Sequence, residues 1–104
     1  MIQTDPKKPH YSLDELKRLI EHPRTRNITL EAVQTASDVG FASVSEIVGV
    51  VLELESADFH KTMPSDRQPG TFQDVYRKTI NGIELYIKLR KSRDKGIVIS
   101  FKKR

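Results

Sequence analysis

Five polar side chains in the last third of the chain are spaced so that they could act on one substrate: Gln73, Arg77, Tyr86, Lys88 and Lys102. They lie within QDVYRKTINGIELYIKLRKSRDKGIVISFKK, residues 73–103, where three alternating apolar and polar runs are separated by Asn81-Gly82 and by Asp94-Lys95-Gly96. A phenol held among ammonium and guanidinium groups can move a proton beside a bound phosphate while the cations offset charge developing on the phosphate oxygens. That chemistry requires the five side chains to share a face. The element that would arrange this is an antiparallel meander, which the alternation and the turn residues predict. Asn-Gly accepts positive φ at both central positions of a type I′ turn, whose twist suits the strands it joins.

The register follows from burial. In the middle run, placing Ile83, Leu85, Ile87 and Leu89 in a core turns Glu84, Tyr86, Lys88 and Arg90 to the opposite face. If Ile97, Ile99 and Phe101 join that core, Leu89 lies opposite Ile97, Ile87 opposite Ile99, and Leu85 opposite Phe101. Tyr86 is then opposite Ser100, with Lys102 on its diagonal at about 7–8 Å. Pairing Ile80 with Ile83 sets Arg77 opposite Tyr86 and leaves Gln73 and Val75 on the same face. Gln73, Arg77, Tyr86, Lys88 and Lys102 are thus expected on one solvent-facing surface.

Charge supports a polyanionic ligand for that surface. The chain of 104 residues carries a net +4, but residues 1–52 sum to −1 and residues 53–104 to +5. From Arg77 to Arg104 only Glu84 and Asp94 interrupt ten basic residues. A basic, tyrosine-bearing sheet suits nucleic acid above other partners; the plainer reading is that these lysines only keep the domain soluble. The length fits a single domain, 1–104, with a modest core. Absence of cysteine excludes disulfides and cysteine-bearing zinc sites, no apolar run approaches the ~20 residues of a membrane span, and residues 1–12 lack a signal-peptide apolar region. A soluble, cytoplasmic protein is expected.

Ahead of the meander the chain reads as helical. Residues 1–10, with Pro6 and Pro9, are expected to form a loose arm, residues 11–55 a helical part and residues 56–104 a sheet part. Ser12-Leu13-Asp14-Glu15 is a capping box, and the helix behind it stops before Pro23. Arg24-Thr25-Arg26 reads as a basic connector, and Thr29 caps a second helix ending at Gly40. Ser43-Val44-Ser45-Glu46 is a second capping box. The helix it opens places Val44, Ile47, Val48, Val51 and Leu52 on one buried face and is expected to be the main support under the sheet. Ala57–Met63 reads as an edge or extended segment and Pro64–Gly70 as a loop. Helices followed by strands predict an α+β domain, with the helices on one face of a mainly antiparallel sheet and the other face open.

Four segments, ESADFHKTM, FQDVYRKT, ELYIKL and IVISFKK, follow one another in this chain. From Leu13 to Lys103 it resembles the MqsR family of bacterial toxins on these segments, most specifically in the DF-x-K-x-M element. The resemblance implies a RelE-like fold and a ribosome-independent endoribonuclease that cuts single-stranded mRNA with a GCU-type preference, using no metal or other cofactor. It also implies a cognate antitoxin of the MqsA kind, with a zinc-bearing toxin-binding domain and a helix-turn-helix DNA-binding domain. Carried over by resemblance, the functional residues are Lys61, Gln73, Tyr86 and Lys102, and Lys61 enters by that route alone. Lys61 and Lys102 would hold phosphate, Tyr86 would transfer a proton, Gln73 would position phosphate or base, and Arg77, Lys88 and His60 would be accessory RNA contacts. Taken singly, the tyrosine is a cross-strand packing partner, the glutamine a solvated strand residue and the lysine C-terminal tail charge.

Two departures flank these residues: His60 stands where tyrosine is usual and Phe72 where tryptophan is usual. Histidine titrates near neutrality. Strand alternation, however, sets His60 on the side opposite Lys61, which favours packing or antitoxin contact over catalysis. His10 and His22 sit on the arm and at a helix end, and the histidines show no metal-binding spacing. A module that binds nucleic acid or an acidic partner without catalysis is the alternative.

Overall fold

The computed structural model describes residues 7–65 and 68–104. Most of the expected loose arm, residues 1–6, and positions 66 and 67 of the Pro64–Gly70 loop lie outside the described residues.

Each helix begins at a hydroxyl cap. Ser12 Oγ accepts from the Glu15 N–H ahead of α1 (Leu13–Glu21), Thr29 Oγ1 from Ala32 ahead of α2 (Leu30–Asp38), and Ser43 Oγ from Glu46 ahead of α3 (Val44–Leu52). These bonds satisfy N–H groups that the first helical turn leaves without partners. The Glu46 carboxylate also accepts from the Ala42 N–H at 2.9 Å. Just before α1, the buried Asp74 carboxylate accepts from the backbone N–H groups of His10 and Tyr11, both at 2.9 Å. The Tyr11 hydroxyl donates to the Phe72 carbonyl at 2.8 Å, so the entry to α1 is tied to the sheet from His10 onward.

A single 3-10 turn, Ser56–Asp58, leads from α3 into the sheet. Five strands, β1 (Arg26–Ile28), β2 (Phe59–Pro64), β3 (Phe72–Ile80), β4 (Ile83–Ser92) and β5 (Lys95–Lys103), lie in the order β1-β5-β4-β3-β2. Only β1 and β5 run parallel; the other neighbours are antiparallel, giving the expected α+β architecture. The Arg24–Arg26 connector runs into β1, which pairs Arg26 with Gly96 and Ile28 with Val98. Three residues are too few to display an alternation, and their partner lies far along the chain. Among the described residues no helix is long and apolar enough to cross a membrane.

The helices cover one sheet face, where Leu16, Ile20, Ala32, Ala36, Ile47 and Val51 pack with Tyr76, Leu85, Ile87, Leu89, Val98 and Phe101. The expected role of α3 as main support is shared differently: α1 and α2 pack on β5, while α3 leans on α1 and α2. Small residues allow this. Ala32 and Ala36 bring α2 down to the strand, and a Cβ added at Gly96 would stand 2.8 Å from Ile20 Cγ1 and 3.1 Å from Leu19 Cβ. The buried stripe of α3 is Ile47, Val48, Val50 and Val51, whereas Val44, expected on that face, is 38% exposed in the first turn. Gly96→Ala should therefore destabilise the domain by about 1–3 kcal/mol through overpacking. Thermal unfolding checks this, since each kcal/mol lowers Tm by roughly 4–8 °C in a domain of this size; an unchanged Tm would mean that α1 simply moves aside.

Between β3 and β4 the register is the one expected, with Ile80↔Ile83, Arg77↔Tyr86 and positive φ at Asn81 and Gly82. Between β4 and β5 it is not. The turn is Arg93-Asp94, with φ 58° at Arg93 and Ser92 paired to Lys95, which leaves Gly96 inside the strand beneath α1. Leu89 pairs with Val98, Ile99 is left unpaired in a bulge, and Ile87 pairs with Phe101. Val98 and Phe101 thus take the core face and Ile97 the open face, and Tyr86 stands directly opposite Lys102 rather than Ser100. Thr29, the cap of α2, fixes the bulge: its hydroxyl donates to the Ile99 carbonyl at 2.8 Å and its N–H to the Val98 carbonyl at 3.1 Å.

Candidate active site

Paired residues on neighbouring strands point to the same side, so the register assembles the open face row by row. One row is Arg77–Tyr86–Lys102, across β3, β4 and β5. The next is Lys61–Val75–Lys88–Ser100, which brings β2 into the site. Val75 is fully buried yet stands outside the helix-side core, with Lys61 and Lys88 on either side of it in the row. Met63 and Gln73 form the start of a third row. Lys61, Gln73, Tyr86 and Lys102 therefore do share one face, together with Arg77 and Lys88.

Their surroundings differ from the expected uniform, solvated surface. Gln73 is buried: its side-chain Nε2 donates to Ser65 Oγ at 3.2 Å, and its backbone carbonyl accepts from the Thr62 hydroxyl at 3.1 Å. Burial and the Ser65 bond hold the side-chain amide at the base of the β2–β3 loop. Lys61 and Lys102 are exposed, Tyr86 and Lys88 half-buried. Among the described residues Lys61, Lys88 and Lys102 make no ion pair, so their ammonium groups are available to an anion.

Arg77 is not available in the same way. Its Nε donates to Glu84 Oε1 at 3.0 Å, its terminal nitrogen reaches the same oxygen, and Arg104 Nη1 lies 3.2 Å from it. The Arg77 hydrogen bond holds the Glu84 carboxyl below its ordinary range; desolvation opposes it, and the charges of Arg77 and Arg104 add to it. Sequence reasoning left Glu84 without a role. The signal was present, since opposite charges on a diagonal across an Asn-Gly hairpin are within side-chain reach.

His60 is the principal correction. Strand alternation set it opposite Lys61, but β2 carries a bulge there: Phe59 pairs with Tyr76 on the core face, Lys61 with Val75 on the open face, and His60 has no partner between them. An extra residue in a strand re-aims its side chain. The imidazole accordingly faces Tyr86, with ring centroids 6.1 Å apart in an edge-to-face arrangement. Desolvation by its neighbours, and the charges of Arg77, Lys61 and Arg104, push its pKa below the usual histidine value. A groove of about 380 Å³ runs beside it, lined by Phe59, His60, Arg77, Lys78, Thr79 and Glu84 among others.

The assembled site is an open seat of three unpaired ammonium groups around a phenol, with an imidazole at one edge and a fixed amide at the other. Such a seat suits a phosphodiester, because it offers charge to the phosphate oxygens and proton-transfer groups beside them. Among the described residues no group of three or more His, Asp or Glu side chains is placed to hold a metal ion.

Comparison with known proteins agrees with this chemistry. The chain is similar to the mRNA interferase toxin MqsR of Escherichia coli (strain K12), at 28% identity over 96 residues that cover 92% of this chain and 95% of the relative. The family model described as motility quorum-sensing regulator, toxin of MqsA, matches residues 8–103. That match takes in all three helices, all five strands and every residue of the open-face site, and the protein belongs to this MqsR toxin family.

Proposed function

We propose that the protein is an mRNA interferase, an endoribonuclease that cuts single-stranded mRNA with a GCU-type preference, independently of the ribosome and of any metal. The observation that carries this reading is the row Arg77–Tyr86–Lys102 flanked by the unpaired Lys61 and Lys88 on an open sheet face. In the reaction a substrate 2′-OH attacks the adjacent phosphorus and the 5′-oxygen leaves. Lys61 and Lys102 hold the phosphate oxygens, and ammonium groups stabilise the phosphorane charge without a Lewis acid. Tyr86 transfers a proton, while Gln73, steadied by Ser65, positions phosphate or base. Lys88 adds a further phosphate contact, and Arg77 does so when released from Glu84. The partner is a cognate antitoxin of the MqsA kind with zinc-binding and helix-turn-helix domains, acting in the cytoplasm where the mRNA is.

The test is incubation of a short single-stranded RNA with the protein in EDTA. Fragments ending in 2′,3′-cyclic phosphate, with cuts that move when a GCU is relocated, are the expected result. Binding without cleavage would instead indicate a non-catalytic nucleic-acid module.

Electrostatics gives an independent expectation. RNA affinity should fall steeply with salt, because each phosphate neutralised on a single strand contributes about −0.7 to the slope of log K against log salt. Glu84→Gln releases Arg77 and Arg104 from their shared carboxylate. Filter-binding titrations should then show tighter binding, with the slope steeper by about 0.7 for each additional phosphate contact. An unchanged slope would mean that the two guanidinium groups do not meet RNA.

A further inference from the structure

In-line cleavage needs two proton transfers on opposite sides of one phosphorus: one from the attacking 2′-OH and one to the leaving 5′-oxygen. Tyr86 serves one of them. Lysine ammonium and arginine guanidinium groups are donors without an acceptor, so Lys61, Lys88, Lys102 and Arg77, as phosphate-holding cations, cannot take the 2′-OH proton. The two carboxylates nearby are engaged. Glu84 is shared by Arg77 and Arg104, and Asp58 accepts from the Glu55 N–H at 2.8 Å and stands 3.5 Å from Lys78 Nζ. Among the described residues, the acceptor left over on this edge of the site is the His60 imidazole.

Its position fits the task. The β2 bulge delivers His60 to the open face, its ring lies 6.1 Å from that of Tyr86, and it is exposed and makes no hydrogen bond among the described residues. Rings this close stand edge to face, so one phosphate seated beside the pair is within reach of both the imidazole and the phenol. We propose that His60 is the base of the cleavage step, with Tyr86 as its acid. This rests on the ribonuclease reading above.

The step balances. The O2′–H proton passes to a ring nitrogen of His60 as the O2′–P bond forms; the P–O5′ bond breaks, and the Tyr86 phenol gives its proton to O5′. The products are a 2′,3′-cyclic phosphate and a 5′-hydroxyl. The enzyme is left with an imidazolium and a phenolate, which exchange the proton through water and return to the starting state.

Desolvation and the surrounding charges favour the basic form of the imidazole. Lys61 from its own strand, Arg77 and Lys78 from β3, and Lys102 and Arg104 from the end of β5 present positive charge to this edge. Glu84 from β4 and Asp58 from the 3-10 turn present negative charge, and the Tyr86 ring faces it. Desolvation first, and then the charges of Arg77, Lys61 and Arg104, hold His60 below its ordinary pKa, which favours the neutral imidazole. Protonation as the pH falls should switch the base off.

The experiment measures cleavage of a short single-stranded RNA in EDTA from pH 5 to pH 9 for the parent, His60→Phe and His60→Ala. The parent rate should fall on the acid side with an apparent pKa below the ordinary ~6.5 of histidine. His60→Phe, which keeps a stacking ring, should bind RNA within about threefold of the parent, cut it ~10²–10⁴-fold more slowly and lose the acid limb. Added imidazole should restore part of the rate of His60→Ala, an outcome that a merely structural role would not give. Because His60 is exposed, both variants should keep the parent's thermal transition. If His60→Phe cleaves at the parent rate, or if the slowed His60→Ala keeps its acid limb and ignores imidazole, His60 is not the base, while the ribonuclease reading stands. A parent that binds RNA without cleaving it would remove both.

Discussion

Tyr86→Phe should bind RNA as the parent does and cut it about 10²–10⁴-fold more slowly, the usual contribution of a general acid or base. The substitution keeps the ring that faces His60 and removes only the phenolic proton, so folding should be untouched. Lys102 lies directly across from Tyr86 and is exposed, which makes Lys102→Ala a loss of charge without a loss of packing. It should weaken RNA binding and turnover together. Groups that work on one phosphate are coupled, so the double variant should cost less than the two single losses combined, by roughly 0.5–3 kcal/mol. Growth arrest on expression should disappear in step with cleavage. Full cleavage by Tyr86→Phe would remove the phenol from the chemistry and leave His60 as the group to pursue.

Val51→Asp should abolish cooperative folding. Val51 is fully buried and belongs to the helix-side core that also holds Leu16, Ile20, Ile47 and the β4 leucines. An aspartate there must either stay ionised without a partner or take up a proton, and both oppose burial. Costs above ~4–5 kcal/mol are characteristic of such substitutions, and a domain has only about 5–15 kcal/mol in total. Val44→Asp, in the first turn of the same helix but 38% exposed, should stay within about 0.5 kcal/mol of the parent. Circular dichroism melts of the two variants give the comparison. A cooperative transition near the parent Tm for Val51→Asp would refute this account of the core, and Val48→Asp should behave as Val51→Asp does.

The pH dependence of stability should carry a small mark of His60. A histidine whose folded pKa is depressed binds fewer protons in the folded state than in the unfolded one, so stability rises with pH. The effect is complete above the unfolded value of about 6.5 and is lost as pH falls through that value towards the lower folded one. Because His60 is exposed, the change is screened and small. Its sign is the useful part: His60→Phe should flatten the acid side of the stability curve, where denaturant titrations at several pH values would detect it.

Features set by short-range geometry were legible in the amino-acid sequence. Ser12, Thr29 and Ser43 cap helices through bonds that span three residues, Pro23 bars helix continuation, and Asn81-Gly82 supplies the positive φ values that fix the β3–β4 register. That register alone places Arg77, Tyr86 and Lys88 together with Gln73, and the run of lysines gives the face its charge. The tertiary structure decided what depends on contacts between distant parts of the chain. Gly96 is drawn out of the turn because α1 needs its missing side chain, and the Ile99 bulge is held by Thr29, so Lys102 moves from a diagonal to a position opposite Tyr86. The bulge at His60 puts the imidazole on the face that alternation denied it, and Ser65 turns Gln73 from a solvated amide into a fixed one. Alternation assumes an unbroken ladder, and one unpaired residue in a strand changes the side on which a neighbouring side chain emerges. Whether a strand takes such a residue is settled by the packing and hydrogen bonds it gains elsewhere in the fold, which no local pattern contains.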